Sequence, residues 1–161
     1  MCFVLKEENA LFTGDNVLGH GYSVSEDLGA YTNSLDYMDD QHCAVGYPAH
    51  GIKIEDLPRK IKQYIRHKKT RERQIFSVLV RTKAKVVNAG QSGKGSLTTR
   101  ELVYSLHGDV SDDMFEMALE PFTTEVLSKL AEDRKVGFEL VKGKRRWFPN
   151  ERTWKLESLK H

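Results

Sequence analysis

Short apolar runs broken by turn formers fill the first fifty residues, and beyond them the apolar positions fall three and four apart. Cys2-Phe3-Val4-Leu5 reads as a short strand, Glu7-Glu8-Asn9 as a turn and Ala10–Thr13 as a second strand, so the opening is expected to be a β-hairpin. Leu28, Tyr31, Leu35 and Met38 then recur at helical spacing. Ser23 or Ser25 is the natural cap of that helix, acids stand in its first turn, and Asp39-Asp40-Gln41 ends it. Ala44–Tyr47 supplies a third strand, and the order strand, helix, strand predicts a parallel βαβ element with a covered sheet.

A second helix opens at Asp56-Leu57-Pro58, with Asp56 as cap and Pro58 near the first helical position. Ile61, Tyr64, Ile65, Ile75, Phe76 and Leu79 form its narrow apolar stripe, and it is either one long helix or two sharing an axis. Asn88–Ser96 is rich in Gly and Ser and predicts a flexible linker or surface loop. A threonine cap at 98–99 precedes an amphipathic stretch with Leu102, Val103 and Leu106, and Ser111–Leu130 is helical with a kink or break at Pro121. Residues 139–148 read as a hairpin with the basic turn Lys142-Gly143-Lys144. Helix, helix and terminal hairpin together suggest a winged-helix module.

Composition adds a class and a charge map. At 161 residues, 39% hydrophobic and 30% charged, the chain fits one ordinary globular domain or two small ones. No run approaches eighteen apolar residues, so no membrane partner or span is expected, and the start, MCFVLKEENALF, has no basic n-region. A cytoplasmic protein is the expectation. Cys2 and Cys43 lack metal-site spacing and are expected as buried free thiols. The net charge of +2 hides three blocks: 1–57 has 2 basic and 10 acidic residues, 58–95 has 12 and 1, and 96–161 has 11 and 12.

Candidate chemistry gathers in Leu11–Gly21 and Tyr47–Gly51. The run Leu11-Phe12-Thr13 stops at Gly14 and leaves Asp15 at a strand tip beside Gly19 and Gly21; His50 follows Pro48-Ala49 at a second strand-to-loop corner. Asp-Asn in a glycine-rich turn is ordinary turn chemistry, and a His after Pro-Ala is ordinarily a loop residue. Carboxylate and imidazole at the tips of neighbouring strands nevertheless suit zinc. No P-loop and no G-x-S-x-G elbow is present, which leaves phosphate-loop and serine-hydrolase chemistry without support.

FTGDNVLGHG, SEDLGAYTNSL, YPAHG and IKQYIRHKKTRERQI resemble the C-terminal half of a metallo-β-lactamase-fold hydrolase, most of all the fungal thioesterases that release atrochrysone-type polyketides from an acyl carrier protein. A related branch is the mitochondrial β-lactamase-like endoribonuclease. The resemblance implies an α/β fold: residues 1–57 as the C-terminal part of an αββα-type body, 58–95 as a basic helix and linker, and 96–161 as a winged-helix-like module. It places Asp15 on the bridging metal ligand and His50 on the last histidine ligand of a site for two zinc ions. The H-x-H-x-D-H loop has no counterpart among His20, His42, His50, His67, His107 and His161, so a truncated chain lacking most of its ligands is expected. His20, between two glycines, is a residue that could face the cleft.

The basic block admits three readings: a solvated helical face, a dock for an acidic carrier protein that uses Arg66, Lys69 and Arg73, or phosphate contacts with nucleic acid. Aromatic residues are too sparse there for base stacking, which ranks nucleic acid below the carrier protein. The functions this leaves are a polyketide-releasing thioesterase, a nuclease relative and a catalytically silent binding module. Strands left without their covering half are expected to associate, giving a homodimer.

Overall fold

The computed structural model describes residues 2–21, 23 and 27–158, the last two without their side chains. Its elements divide between two compact units, one ending at Thr70 and the other starting at Arg71. In the first, β1 (Phe3–Leu5) and β2 (Ala10–Gly14) pair antiparallel through a 3₁₀ turn at Lys6–Glu8, which closes on Asn9 in the left-handed region. The helix α1 (Leu28–Asp39) crosses over, and β3 (Val45–Pro48) joins β2 in parallel, giving the sheet order β1-β2-β3. The hairpin and the βαβ element are thus as the periodicity predicts.

The cap of α1 needs correcting. Asp27, not a serine, holds the helix N-terminus by accepting from Ala30 N–H at 2.9 Å, and Ser25 lies outside the described residues. Ser23 is buried and its hydroxyl is engaged elsewhere. Leu28, Tyr31, Leu35 and Met38 all point inward, as their spacing requires. With Leu11, Val17, Leu57, Ile61 and Tyr64 they form the core of this unit.

Among the described residues the two faces of the sheet are covered unequally. Leu11 and Thr13 are buried, whereas Phe3, Phe12 and Tyr47 form one rung across the other face, with Phe3 60% and Phe12 45% exposed. The rings of Phe12 and Tyr47 lie 5.3 Å apart.

One unbroken helix, α2 (Leu57–Asn88), contains the boundary between the units. Asp56 caps it by accepting from Arg59 N–H at 3.1 Å. Lys68, which charge alone places on a solvated cationic face, is instead 5% exposed: its ammonium donates to the Ser23 carbonyl and lies 5.0 Å from the centre of the Tyr31 ring. Cys43 is a buried free thiol; Cys2 is only half-buried.

In the second unit the loop after α2 packs back on the helix. Lys83 donates to the Gly93 carbonyl at 2.7 Å, and Gly95 sits so close to Lys83 that a Cβ would come within 2.7 Å of its Cα. Thr98 and Glu101 make a reciprocal capping box at the start of α3 (Thr99–His107). Next come α4 (Asp112–Met114), a π-helical turn at Phe115–Leu119 and α5 (Glu120–Glu132). Pro121 stands in the first turn of α5, where its missing N–H costs least, and the helical run changes character just ahead of it. The π turn just before it takes up the irregularity, with Glu120 N–H reaching back five residues to Phe115 O.

The hairpin β4 (Val136–Val141) and β5 (Lys144–Pro149) turns at Lys142-Gly143, both at positive φ, and α6 (Glu151–Ser158) follows. Arg145 lies over Phe138 and Trp147, and Lys94 over Phe148, so cation–π contacts accompany the aromatic cluster. No helix among the described residues is long and apolar enough to cross a membrane.

Candidate functional site

Strands β2 and β3 run parallel, so their C-terminal ends open at the same edge of the sheet, where ligands bind in open α/β sheets. The register slips between Phe12 and Gly14, and Thr13, on the buried face with Leu11, donates to Val17 O at 2.7 Å. Gly14 leaves the strand at φ +55 and places Asp15 on the rim. Across from it, Ala49 N–H donates to Gly14 O at 3.0 Å, and His50 follows.

Two glycines bring the loops together. Gly19 N–H donates to the His50 carbonyl at 2.9 Å, and a Cβ on Gly19 would lie 2.2 Å from Ile52 O and 2.3 Å from Ile52 N. Gly51 is at φ +92 with its Cα side turned to Gly19 and to the His20 ring. Backbone lies on backbone here, which only glycine permits. The outcome is that His50 Nε2 stands 3.4 Å from Asp15 Oδ1, with both side chains largely in solvent.

Behind that rim is a set of buried hydroxyls that periodicity does not show. Tyr64 of α2 accepts from Leu18 N–H at 3.1 Å and donates to Gly21 O at 2.9 Å, clasping both ends of the Gly19 turn. Tyr31 of α1 donates to Asn16 O at 2.6 Å, with Ser23 Oγ 2.6 Å from its oxygen and also bonded to Asn16 O. Burial pushes the Tyr31 hydroxyl up to about 12, against the opposing hydrogen bond of Ser23. Both tyrosines therefore hold the loop that carries Asp15. Helical spacing marks them only as apolar stripe residues; a polar tip on a stripe position facing a glycine-rich turn is the one signal of this role in the sequence.

Asp15, His20 and His50 are thus neighbours along two touching loops. Arg66 and Lys69 are exposed on α2 in the first unit, and Arg73 is exposed in the second. As donors, Asp15 and His50 suit a zinc-type ion in kind, but catalytic zinc ordinarily takes three protein ligands. Among the described residues no group of three His, Cys, Asp or Glu side chains could hold a metal. The two donors alone do not make a metal centre.

The architecture resembles part of the metallo-β-lactamase fold. A metallo-β-lactamase family protein from Thermus thermophilus superposes with a TM-score of 0.64 at 22% identity, and a β-lactamase domain protein from Burkholderia ambifaria with 0.72 at 17%. In both cases 92% of this chain matches 44% of the other. No family model matches the sequence.

Its sequence relatives are fungal lactamase-like proteins. The chain is 58% identical over 149 residues to the lactamase-like protein adaB of Aspergillus niger, covering 92% of this chain and 47% of that protein. It is 57% identical over 148 residues to an Aspergillus chevalieri protein named atrochrysone carboxyl ACP thioesterase, covering 92% and 46%. With the lactamase-like protein aptB of Emericella nidulans the identity is 52% over 154 residues, covering 94% and 48%. The chain spans about half the length of these curated relatives.

Proposed function

We propose that this chain is part of a thioesterase that hydrolyses a polyketide acyl thioester carried on an acyl carrier protein. The observation that carries the reading is the convergence of Asp15 and His50 to 3.4 Å at the C-terminal edge of parallel strands, in a chain 57% identical to a protein of that name. In this reading Asp15 and His50 contribute two donors to a zinc site whose remaining ligands come from outside the described residues. His20, against Gly51, lines the same rim. When bound, the metal would supply an activated hydroxide and stabilise the oxyanion of the tetrahedral intermediate. The chain's own residues hold donor positions: the Tyr64 and Tyr31 hydroxyls fix the Asp15 loop, and the Gly19–His50 bond fixes the other. The hairpin following α3 to α5 reads as the wing of a winged-helix-like module, and cationic α2 residues, Arg66, Lys69 and Arg73 among them, offer charge to an acidic partner.

The test measures zinc binding and thioester hydrolysis together. The chain is expected to bind zinc weakly, to lose that binding in both Asp15→Ala and His50→Ala, and to bind an acidic carrier protein without robust turnover. Zinc binding that is indifferent to both substitutions would remove the site. Tight RNA binding at physiological ionic strength with no carrier-protein binding would replace the thioesterase by a nuclease relative.

A further inference from the structure

The first turns of α2 hold a cavity of about 410 Å³ lined by Asp56, Pro58, Arg59, Lys62, Gln63 and Arg66. Arg59, Lys62 and Arg66 stand at i, i+3 and i+7, which puts them along one side of the helix over roughly 10 Å. All three are exposed, and none has a carboxylate at ion-pair distance among the described residues. Three other cations of this unit are engaged: Lys53 pairs with Glu55 at 3.0 Å, Lys60 lies 5.7 Å from the centre of the Tyr64 ring, and Lys68 is buried against Tyr31. The cavity's single carboxylate, Asp56, already caps the helix through Arg59 N–H. An excess of positive charge is therefore gathered around a concavity that has an amide side chain, Gln63, as a further donor.

We propose that this concavity is where the acidic helical face of the carrier protein docks, a step that rests on the thioesterase reading above. A single exposed ion pair contributes little, so docking here relies on three cations acting together along one side of the helix, which steers an acidic partner and sets its register. A facing helix with acids three, four and seven apart presents the matching period. Single-stranded nucleic acid fits less well, because the lining contains no aromatic platform and the nearby Tyr64 is buried with its hydroxyl committed to the Gly19 loop.

The full chain is titrated with an acidic acyl carrier protein, and separately with an RNA oligonucleotide, by fluorescence anisotropy at two salt concentrations. Reversing Arg59, Lys62 and Arg66 together to Glu should weaken carrier-protein binding about tenfold or more, while the pair Lys142→Glu and Lys144→Glu, exposed at the β4–β5 turn, changes it less than about threefold. If the triple variant is not folded by circular dichroism, Lys62→Gln serves instead, with about a threefold loss and a shallower salt dependence expected. Carrier-protein binding that survives reversal at the concavity overturns the docking site and leaves the thioesterase reading intact. Absence of carrier-protein binding by the unsubstituted chain defeats that reading itself, and RNA binding that depends on the same three cations reassigns the surface to nucleic acid.

Discussion

Replacing Gly19 by alanine tests the geometry that brings Asp15 and His50 together. The added Cβ would sit 2.2 Å from Ile52 O, 2.3 Å from Ile52 N and 2.7 Å from Gly51 C, and all three are backbone atoms that no rotamer change can move. Ordinary contact begins at 3.4 Å, so the two loops must separate by about 1 Å. That separation breaks the 2.9 Å bond from Gly19 N–H to His50 O, and loss of one such bond costs about 1 kcal/mol. Overpacking at a site that cannot relax adds about 1–3 kcal/mol, so the expected destabilisation is about 2–4 kcal/mol. Two comparison variants separate the causes. Gly21→Ala has open space but φ +59, and isolates the left-handed backbone cost of about 1–2 kcal/mol; Gly93→Ala meets only Val86 Cγ1 at 3.8 Å and should change stability by less than about 0.5 kcal/mol. Urea unfolding read by circular dichroism gives the energies. Hydrogen exchange over residues 14–21 and 44–54 shows whether the loops have parted. A Gly19→Ala chain within about 0.5 kcal/mol of the parent, with loop protection unchanged, would refute the backbone-on-backbone account of the site.

Tyr64→Phe should lose about 1–3 kcal/mol, because it removes the partner of Leu18 N–H and of Gly21 O, and should raise hydrogen exchange at Leu18; unchanged exchange there would count against the clasp. Burial alone would raise the Glu101 carboxyl, but the Thr98 hydrogen bonds and the Arg146 guanidinium outweigh it and hold the carboxyl below its usual range. The contribution of Glu101 to stability is therefore present above the unfolded-state value and is lost as pH falls through the lowered folded one. A thermal-stability profile between about pH 6 and 3 should flatten in Glu101→Gln, and an unaltered acid limb would argue against the assignment. The exposed rung of Phe3, Phe12 and Tyr47 should make the chain associate with rising concentration in sedimentation. Phe3→Ser with Phe12→Ser should shift the distribution toward monomer, and a chain that is monomeric throughout removes that face as the cause.

Local chemistry is legible in the sequence wherever the deciding neighbours are close along the chain. Gly14 after an apolar triplet stops a strand, Pro48 stops another, and each leaves a metal-type side chain at a tip; the order strand, helix, strand then aligns the two tips at one edge. The cap of α1 is ambiguous because Ser23, Ser25 and Asp27 are all cap formers, and what assigns Asp27 is that Ser23 is drawn into the hydroxyl cluster with Tyr31. Lys68 escapes the sequence because charge alone predicts solvent. The Ser23 carbonyl and the Tyr31 ring that accommodate its ammonium come from segments 45 and 37 residues away, and no pattern along α2 contains them.

The same limit explains why the sequence shows the site as two residues and not as a loop pair. A glycine shows that its position tolerates an unusual backbone or a close approach, but not which other segment approaches. Gly19 and Gly51 are 32 positions apart, and they meet only because the parallel register of β2 and β3 sets Gly14 against Pro48 and carries both loops off the same edge. Once they meet, the tyrosines of α1 and α2 have a turn to hold. The convergence of Asp15 and His50 therefore depends on packing between four segments: two strand tips supply the side chains, and two helices from behind fix the loop that carries one of them. A substitution that spares both side chains, Gly19→Ala or Tyr64→Phe, should consequently disturb zinc binding as Asp15→Ala does, and would show that the donor pair is built by the fold and not by the two residues alone.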